Sequence, residues 1–97
     1  MIYVYYHVTA VEEFKKKIAE YFEEGRKFGL ERVMQRVDQP DLFMEIVEVY
    51  SNIGEPLNAL SDLRAKHGMN KLILNNKIHV EVFDVLLGSS DKGNRII

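Results

Sequence analysis

Apolar and polar positions alternate over residues 2–8, with Ile2, Val4, Tyr6 and Val8 on one parity and Tyr3, Tyr5 and His7 on the other. Successive side chains of a strand point to opposite faces, so this run predicts a strand with one apolar face ready to be covered. Its second face is aromatic and polar at once. From Val11 the period changes: Val11, Phe14, Ile18, Tyr21 and Phe22 recur at spacings of three and four, with Glu and Lys between them. That spacing predicts an amphipathic helix over residues 10–27. Thr9-Ala10-Val11-Glu12 reads as a capping box at its start, and Gly29 as its stop.

Residues 30–38 alternate again, with Arg32, Met34 and Arg36 set against Glu31, Val33, Gln35 and Val37. This is the most polar of the strands, which suits a sheet edge. Asp38-Gln39-Pro40-Asp41 has turn chemistry and leads into residues 42–50, Leu-Phe-Met-Glu-Ile-Val-Glu-Val-Tyr, so the two strands should form a hairpin. Leu42, Met44 and Ile46 share one face of that strand, and Phe43, Glu45, Val47 and Val49 the other. Both faces are mostly apolar. The first is expected to meet the chain's own helices and the second to turn outward. Pro56 opens a second helix with Leu57, Leu60 and Leu63 on its apolar side, and Gly68 ends it. Met69, Leu72, Ile73 and Leu74 read as a short helical plug. A last strand over residues 77–86 places Ile78, Val80 and Val82 opposite His79, Glu81, Phe83 and Val85. Residues 1–87 then make one domain, and the Gly/Ser/Asp-rich residues 88–97 a mobile tail.

The element order βαββαβ predicts a ferredoxin-like α+β domain: a four-stranded antiparallel sheet with two helices on one face and the first and third strands central. The other face of a lone subunit would expose Tyr3, Tyr5, Phe43, Val47, Val49, Phe83 and Val85, more than the few hundred Å² a monomer usually leaves bare. A second copy packed sheet to sheet about a two-fold axis is the simplest cover. A homodimer through the open sheet face, closing a dimeric α/β barrel, is therefore expected.

Composition narrows the function classes. The 97 residues are 46% hydrophobic and 29% charged, ordinary for one globular domain. A net charge of −2 with interspersed signs leaves no footprint for nucleic acid. The one basic run, Lys15 to Lys17, is surrounded by Glu12, Glu13, Glu20, Glu23 and Glu24, a solvated helix face. With no cysteine, disulfides, iron–sulfur clusters, thiolate zinc sites and cysteine nucleophiles are excluded. The N-terminus lacks a signal-peptide pattern and no apolar run approaches a membrane span, so a cytoplasmic protein with no membrane partner is expected.

Candidate chemistry lies on the strands. Tyr3, Tyr5 and His7 share a face that could wall a cavity for a small phenolic or quinone-like aromatic, with His7 as base. The more ordinary reading is that the tyrosines are interface packing with satisfied hydroxyls and that His7 ends a strand near solvent. Glu45 interrupts an apolar face and needs a partner, for which Arg32, Arg36, His79 and Tyr5 are the candidates. It is either a general base or an intersubunit salt-bridge partner. His7 and Glu45 are thus the candidate catalytic groups, and Tyr3, Tyr5, His79 and Arg36 the candidate substrate contacts. His79 and Glu81 with His7 and Glu45 offer suitable ligand types, but no tight metal-ligand spacing, so neither metal nor cofactor is expected. The phosphate loop of acylphosphatases, basic RNP sequences, Cys-x-x-Cys and dinucleotide glycine loops are all missing from the sequence.

The opening Ile-Tyr-Val-Tyr-Tyr-His-Val, the strand Met44-Glu45-Ile46-Val47-Glu48-Val49-Tyr50 and the closing His79-Val80-Glu81-Val82-Phe83 resemble the dimeric α+β barrel superfamily, which includes the antibiotic-biosynthesis monooxygenase-like domains. The resemblance covers about residues 2–87. It implies two ferredoxin-like subunits packed into one barrel, with a ligand cavity between sheet and helices or within the barrel. Members range over cofactor-free oxygenases, isomerases and haem-degrading enzymes, and some have no known activity. For this chain the resemblance implies a cofactor-independent, monooxygenase-like enzyme whose cavity is lined by Tyr5, His7, Glu45 and His79. The alternative is a non-catalytic dimeric module for ligand binding or interaction.

Overall fold

The computed structural model describes residues 1–49 and 52–88. Tyr50, placed at the end of the third strand, and the tail from residue 89 lie outside the described residues. Strands β1 (Ile2–His7), β2 (Leu30–Gln35), β3 (Leu42–Val47) and β4 (His79–Val82) alternate with helices α1 (Val11–Gly25) and α2 (Gly54–Lys66) in the order β1-α1-β2-β3-α2-β4. Short 3₁₀ turns follow α1 at Arg26–Phe28 and precede β4 at Asn70–Leu72 and Leu74–Asn76. The sheet runs β2-β3-β1-β4 with every neighbour antiparallel, the ferredoxin-like α+β arrangement. The apolar strands are central and the polar β2 is an edge, as charge along an exposed ladder requires.

Helix α1 begins differently from the expected capping box. Ala10 is its N-cap and carries no side-chain cap, while the Thr9 hydroxyl donates to the Leu72 carbonyl at 3.2 Å. The Thr9 backbone N–H bonds the same carbonyl at 2.7 Å, so Thr9 ties the strand end to the plug segment rather than to its own helix. Pro56 stands in the first turn of α2, where an N–H lacks a helical partner anyway. Gly29 is required by geometry. Its φ is 99°, and a Cβ there would lie 2.3 Å from the Glu48 carbonyl oxygen.

Two registers decide what faces the helices. A bulge between Leu30 and Arg32 lets Leu30 join Val33 on the helix side, although simple parity would pair it with Arg32. In β3 the expected faces are exchanged: Phe43, Glu45 and Val47 point at the helices and are buried, while Leu42, Met44 and Ile46 lie on the open face. Register explains it. Ile2 pairs with Val47, Val4 with Glu45 and Tyr6 with Phe43, so their side chains share a face. The core is built on Ile2, Val4 and Tyr6 from β1 and Val8 just after it, with Phe14 and Tyr21 from α1, Leu30 from β2 and Leu60 from α2. Phe43 and Val47 from β3 join them, with Met69, Leu72 and Ile73 from the segment between α2 and β4. Phe14 packs its ring on Phe43 at 4.7 Å and edge-on to Tyr6 at 5.8 Å.

Candidate functional site

Exchanging the faces of β3 separates the expected site residues into two groups. Beneath the helices lies a closed polar cluster. Glu45 is 0% exposed and Arg64, from α2, 3%. The Arg64 Nη1 donates to Glu45 Oε1 at 2.8 Å and to Oε2 at 3.0 Å, and also to the Tyr21 hydroxyl at 2.8 Å. Tyr21 donates its hydroxyl proton to Glu45 Oε1 at 2.5 Å, and Tyr6 donates to Oε2. Every group around the carboxylate is a donor, so the buried charge is paired and hydrogen-bonded.

The expected partners Arg32, Arg36, His79 and Tyr5 are not the ones Glu45 uses. Arg64, Tyr6 and Tyr21 take that role, from both helices and the neighbouring strand. Glu45 is also on the opposite side of the sheet from His7, so the two candidate catalytic groups do not share a cavity. Arg64 had a legible signal: it lies four residues after Leu60 and seven after Leu57, within the buried stripe of α2. A charged residue on an apolar stripe facing a carboxylate on an apolar strand is a pairing that sequence can suggest.

The cluster shifts its own members. Burial, followed by the charge of Glu45, raises the Tyr6 pKa well above its ordinary value, and the same causes raise Tyr21. For Arg64, burial alone would lower the pKa, but Glu45 and the two phenols outweigh it and the net shift is upward. The tyrosines give a pH prediction. Below about pH 10 the folded and unfolded chains both keep these protons, so they leave stability flat. Above it the unfolded chain releases two protons that the fold retains, and stability should fall by about 2.7 kcal/mol per pH unit. Urea unfolding at stepped alkaline pH measures this, and Tyr6→Phe should remove about half of the slope. A slope unchanged in Tyr6→Phe would contradict the assignment.

The second group occupies the open face, which no element of the described chain covers. Its residues form rows across the sheet: Met34, Met44, Tyr5 and His79; then Arg32, Ile46, Tyr3 and Glu81. At one end His7 pairs with Leu42, whose carbonyl accepts the Arg36 N–H at 2.9 Å. Tyr3, Tyr5, His7 and His79 are therefore brought to one face, with Arg36 on the same face two strands away. The Tyr5 and His79 rings stack at 5.0 Å, and the Tyr5 hydroxyl donates to Glu81 Oε2 at 3.1 Å. That hydrogen bond is the main cause of a raised Tyr5 pKa. Tyr3 meets Phe83 edge-on at 5.5 Å. A shallow groove of about 320 Å³ runs among Met1, Tyr3, Met44, Glu81, Phe83 and Val85.

Arg36 is engaged with Asp38, its Nε 2.6 Å from Oδ1. His7 Nδ1 lies 3.0 Å from Asp41 Oδ2, both side chains being about half-buried. Asp41 carries no periodic signal, because it belongs to the turn and reaches His7 only through the β1–β3 pairing. Among the described residues no three His, Asp or Glu side chains converge as a metal-ligand set, and no helix is long and apolar enough to cross a membrane.

No protein-family model and no curated protein matches the sequence. Solved structures do match in fold. A Nitrosomonas europaea protein assigned as an antibiotic biosynthesis monooxygenase aligns at TM-score 0.62 with 17% identity, over 89% of this chain and 97% of its own. A second antibiotic biosynthesis monooxygenase aligns at TM-score 0.68 with 13% identity and the same coverages. A dimeric ferredoxin-like protein from an uncultured marine organism aligns at TM-score 0.54 with 16% identity, over 91% of this chain and 90% of its own. The chain thus has the fold of antibiotic biosynthesis monooxygenase-like and dimeric ferredoxin-like proteins.

Proposed function

We propose that two copies pack their open sheet faces together and enclose a site for a small aromatic molecule, which His7 deprotonates in a cofactor-independent, monooxygenase-like oxidation. The observation that carries this reading is the uncovered face itself. Leu42, Met44, Ile46, Tyr3 and Phe83 supply apolar walls there, and His7, Tyr5, His79 and Glu81 supply polar groups among them. Such a mixture is typical of small-ligand sites, and covering the face removes it from water. The names of the structural neighbours support both the oxygenase and the dimer.

The chemistry balances without a resident redox group. A hydroquinone with a free ring position and one dioxygen give a hydroxyquinone and one water, the substrate supplying all the electrons. His7 would take the phenolic proton, making the ring electron-rich toward dioxygen. Oxygen uptake with a hydroquinone under labelled dioxygen tests this: one labelled atom should enter the product and the other leave as water. No uptake above the uncatalysed rate would remove the oxygenase reading.

The alternative, a non-catalytic dimeric ligand-binding or interaction module, is favoured by the Tyr5–His79 stack and the Tyr3–Phe83 contact, which already occupy part of the face. Both readings need the dimer. Light scattering at micromolar concentration should give twice the chain mass for the wild type. Met44→Asp, which puts a charge at the middle of the face, should weaken association at least about a hundredfold and yield a folded monomer. A monomeric wild type would remove both readings.

A further inference from the structure

We infer that Asp41 is the positioning residue of the open-face site: it holds the neutral His7 ring as the Nδ1–H tautomer, leaving Nε2 as the proton acceptor. The inference rests on the proposed site but reaches an atom that the fold alone does not specify. A carboxylate offers only acceptor lone pairs, so a hydrogen bond at 3.0 Å between Asp41 Oδ2 and His7 Nδ1 requires the proton on Nδ1. The ring then has a bare Nε2 whenever it is neutral.

The pairing is built into the backbone. Val8, the residue after His7, donates its N–H to the Asp41 carbonyl at 2.8 Å. Leu42, the residue after Asp41, stands opposite His7 in the ladder. The turn preceding Asp41 is held by Leu42 N–H to the Gln39 carbonyl at 3.0 Å and by Gln35 Nε2 to the Pro40 carbonyl at 2.8 Å. Asp41 therefore approaches His7 from a fixed direction, the arrangement by which a carboxylate selects a tautomer and an orientation in acid–base sites.

Long-range proton–nitrogen NMR reads the tautomer directly in the wild-type protein, with His7 assigned by the signal lost in His7→Gln. At about pH 8.5, roughly two units above the ordinary histidine value, the Nδ1–H form should exceed the Nε2–H form at least about fivefold. Asp41→Ala should reverse that preference, and Asp41→Glu should restore part of it. A wild-type ring protonated on Nε2, or a ratio unchanged in a folded Asp41→Ala protein, would overturn the inference. The wild-type measurement stands even if Asp41→Ala fails to fold. The reading is also separable from catalysis: absence of oxygen uptake removes the oxygenase but leaves the tautomer to be found as stated, whereas the wrong tautomer removes Asp41's role whatever the turnover.

Discussion

Arg64→Met is expected to cost the fold about 3–5 kcal/mol, because it leaves a buried carboxylate without its charge partner. The substitution keeps most of the side chain's volume, so the loss is not a cavity effect. It strips the charge partner from Glu45, which is 0% exposed and bonded at both oxygens by Arg64 Nη1. The two tyrosine hydroxyls remain, but neutral donors do not compensate a carboxylate removed from water. Against a total stability of about 5–15 kcal/mol for a domain of this kind, the loss is a large fraction.

The sign of a second substitution separates charge from packing. Glu45→Gln alone should destabilise, because it leaves Arg64 without its carboxylate. In the Arg64→Met background it should instead restore at least about 1 kcal/mol, since a neutral amide can accept from one tyrosine and donate to the other. Urea unfolding of the four proteins closes the cycle. If Arg64→Met stays within about 1 kcal/mol of wild type, the pair does not hold the layers together.

The same cluster shows why sequence reveals the fold better than the site. Element order and strand polarity were readable because each rests on local periodicity, as in Ile2, Val4, Tyr6 and Val8, or in the α1 stripe. They sufficed for the sheet order and for the edge position of β2. The facing of β3 was not readable in that way. Both of its parities are mostly apolar and each carries one glutamate, Glu45 or Glu48, so periodicity alone does not say which face meets the helices. The partners of Glu45 come from positions 6, 21 and 64, a convergence that only the assembled layers create. The open face was legible in part: Tyr3, Tyr5, His7 and His79 share it through parity and register, whereas Asp41 reaches His7 from a turn. Thr9 went to Leu72 rather than to the α1 terminus for a related reason, because a distant carbonyl competed with a local motif.

His7→Ala is expected to slow hydroquinone oxidation at least about a hundredfold while leaving dimer formation intact, the usual contribution of a positioned general base. The neighbouring groups are worse candidates. Tyr5 donates a hydrogen bond to Glu81, and that bond raises its pKa, so it is a poor base in the neutral range. Glu81 has one oxygen occupied by the same bond, and the His79 ring is stacked on Tyr5. Glu45 is on the far side of the sheet, bonded to Arg64 and two tyrosines. Among the described residues of the open face, His7 is the imidazole that a carboxylate holds through one ring nitrogen, which in the proposed site leaves the other for substrate. The loss should therefore appear in kcat with little change in KM, because the ring's contribution is made when the proton moves. His79→Phe preserves a ring to stack on Tyr5, so it should alter KM more than kcat. Added imidazole should recover part of the His7→Ala rate, since the truncation opens space beside Leu42 and Asp41. If His7→Ala loses less than about threefold while His79→Phe loses about a hundredfold in kcat, the base is on β4 and the chemistry is centred on the Tyr5–His79 stack instead.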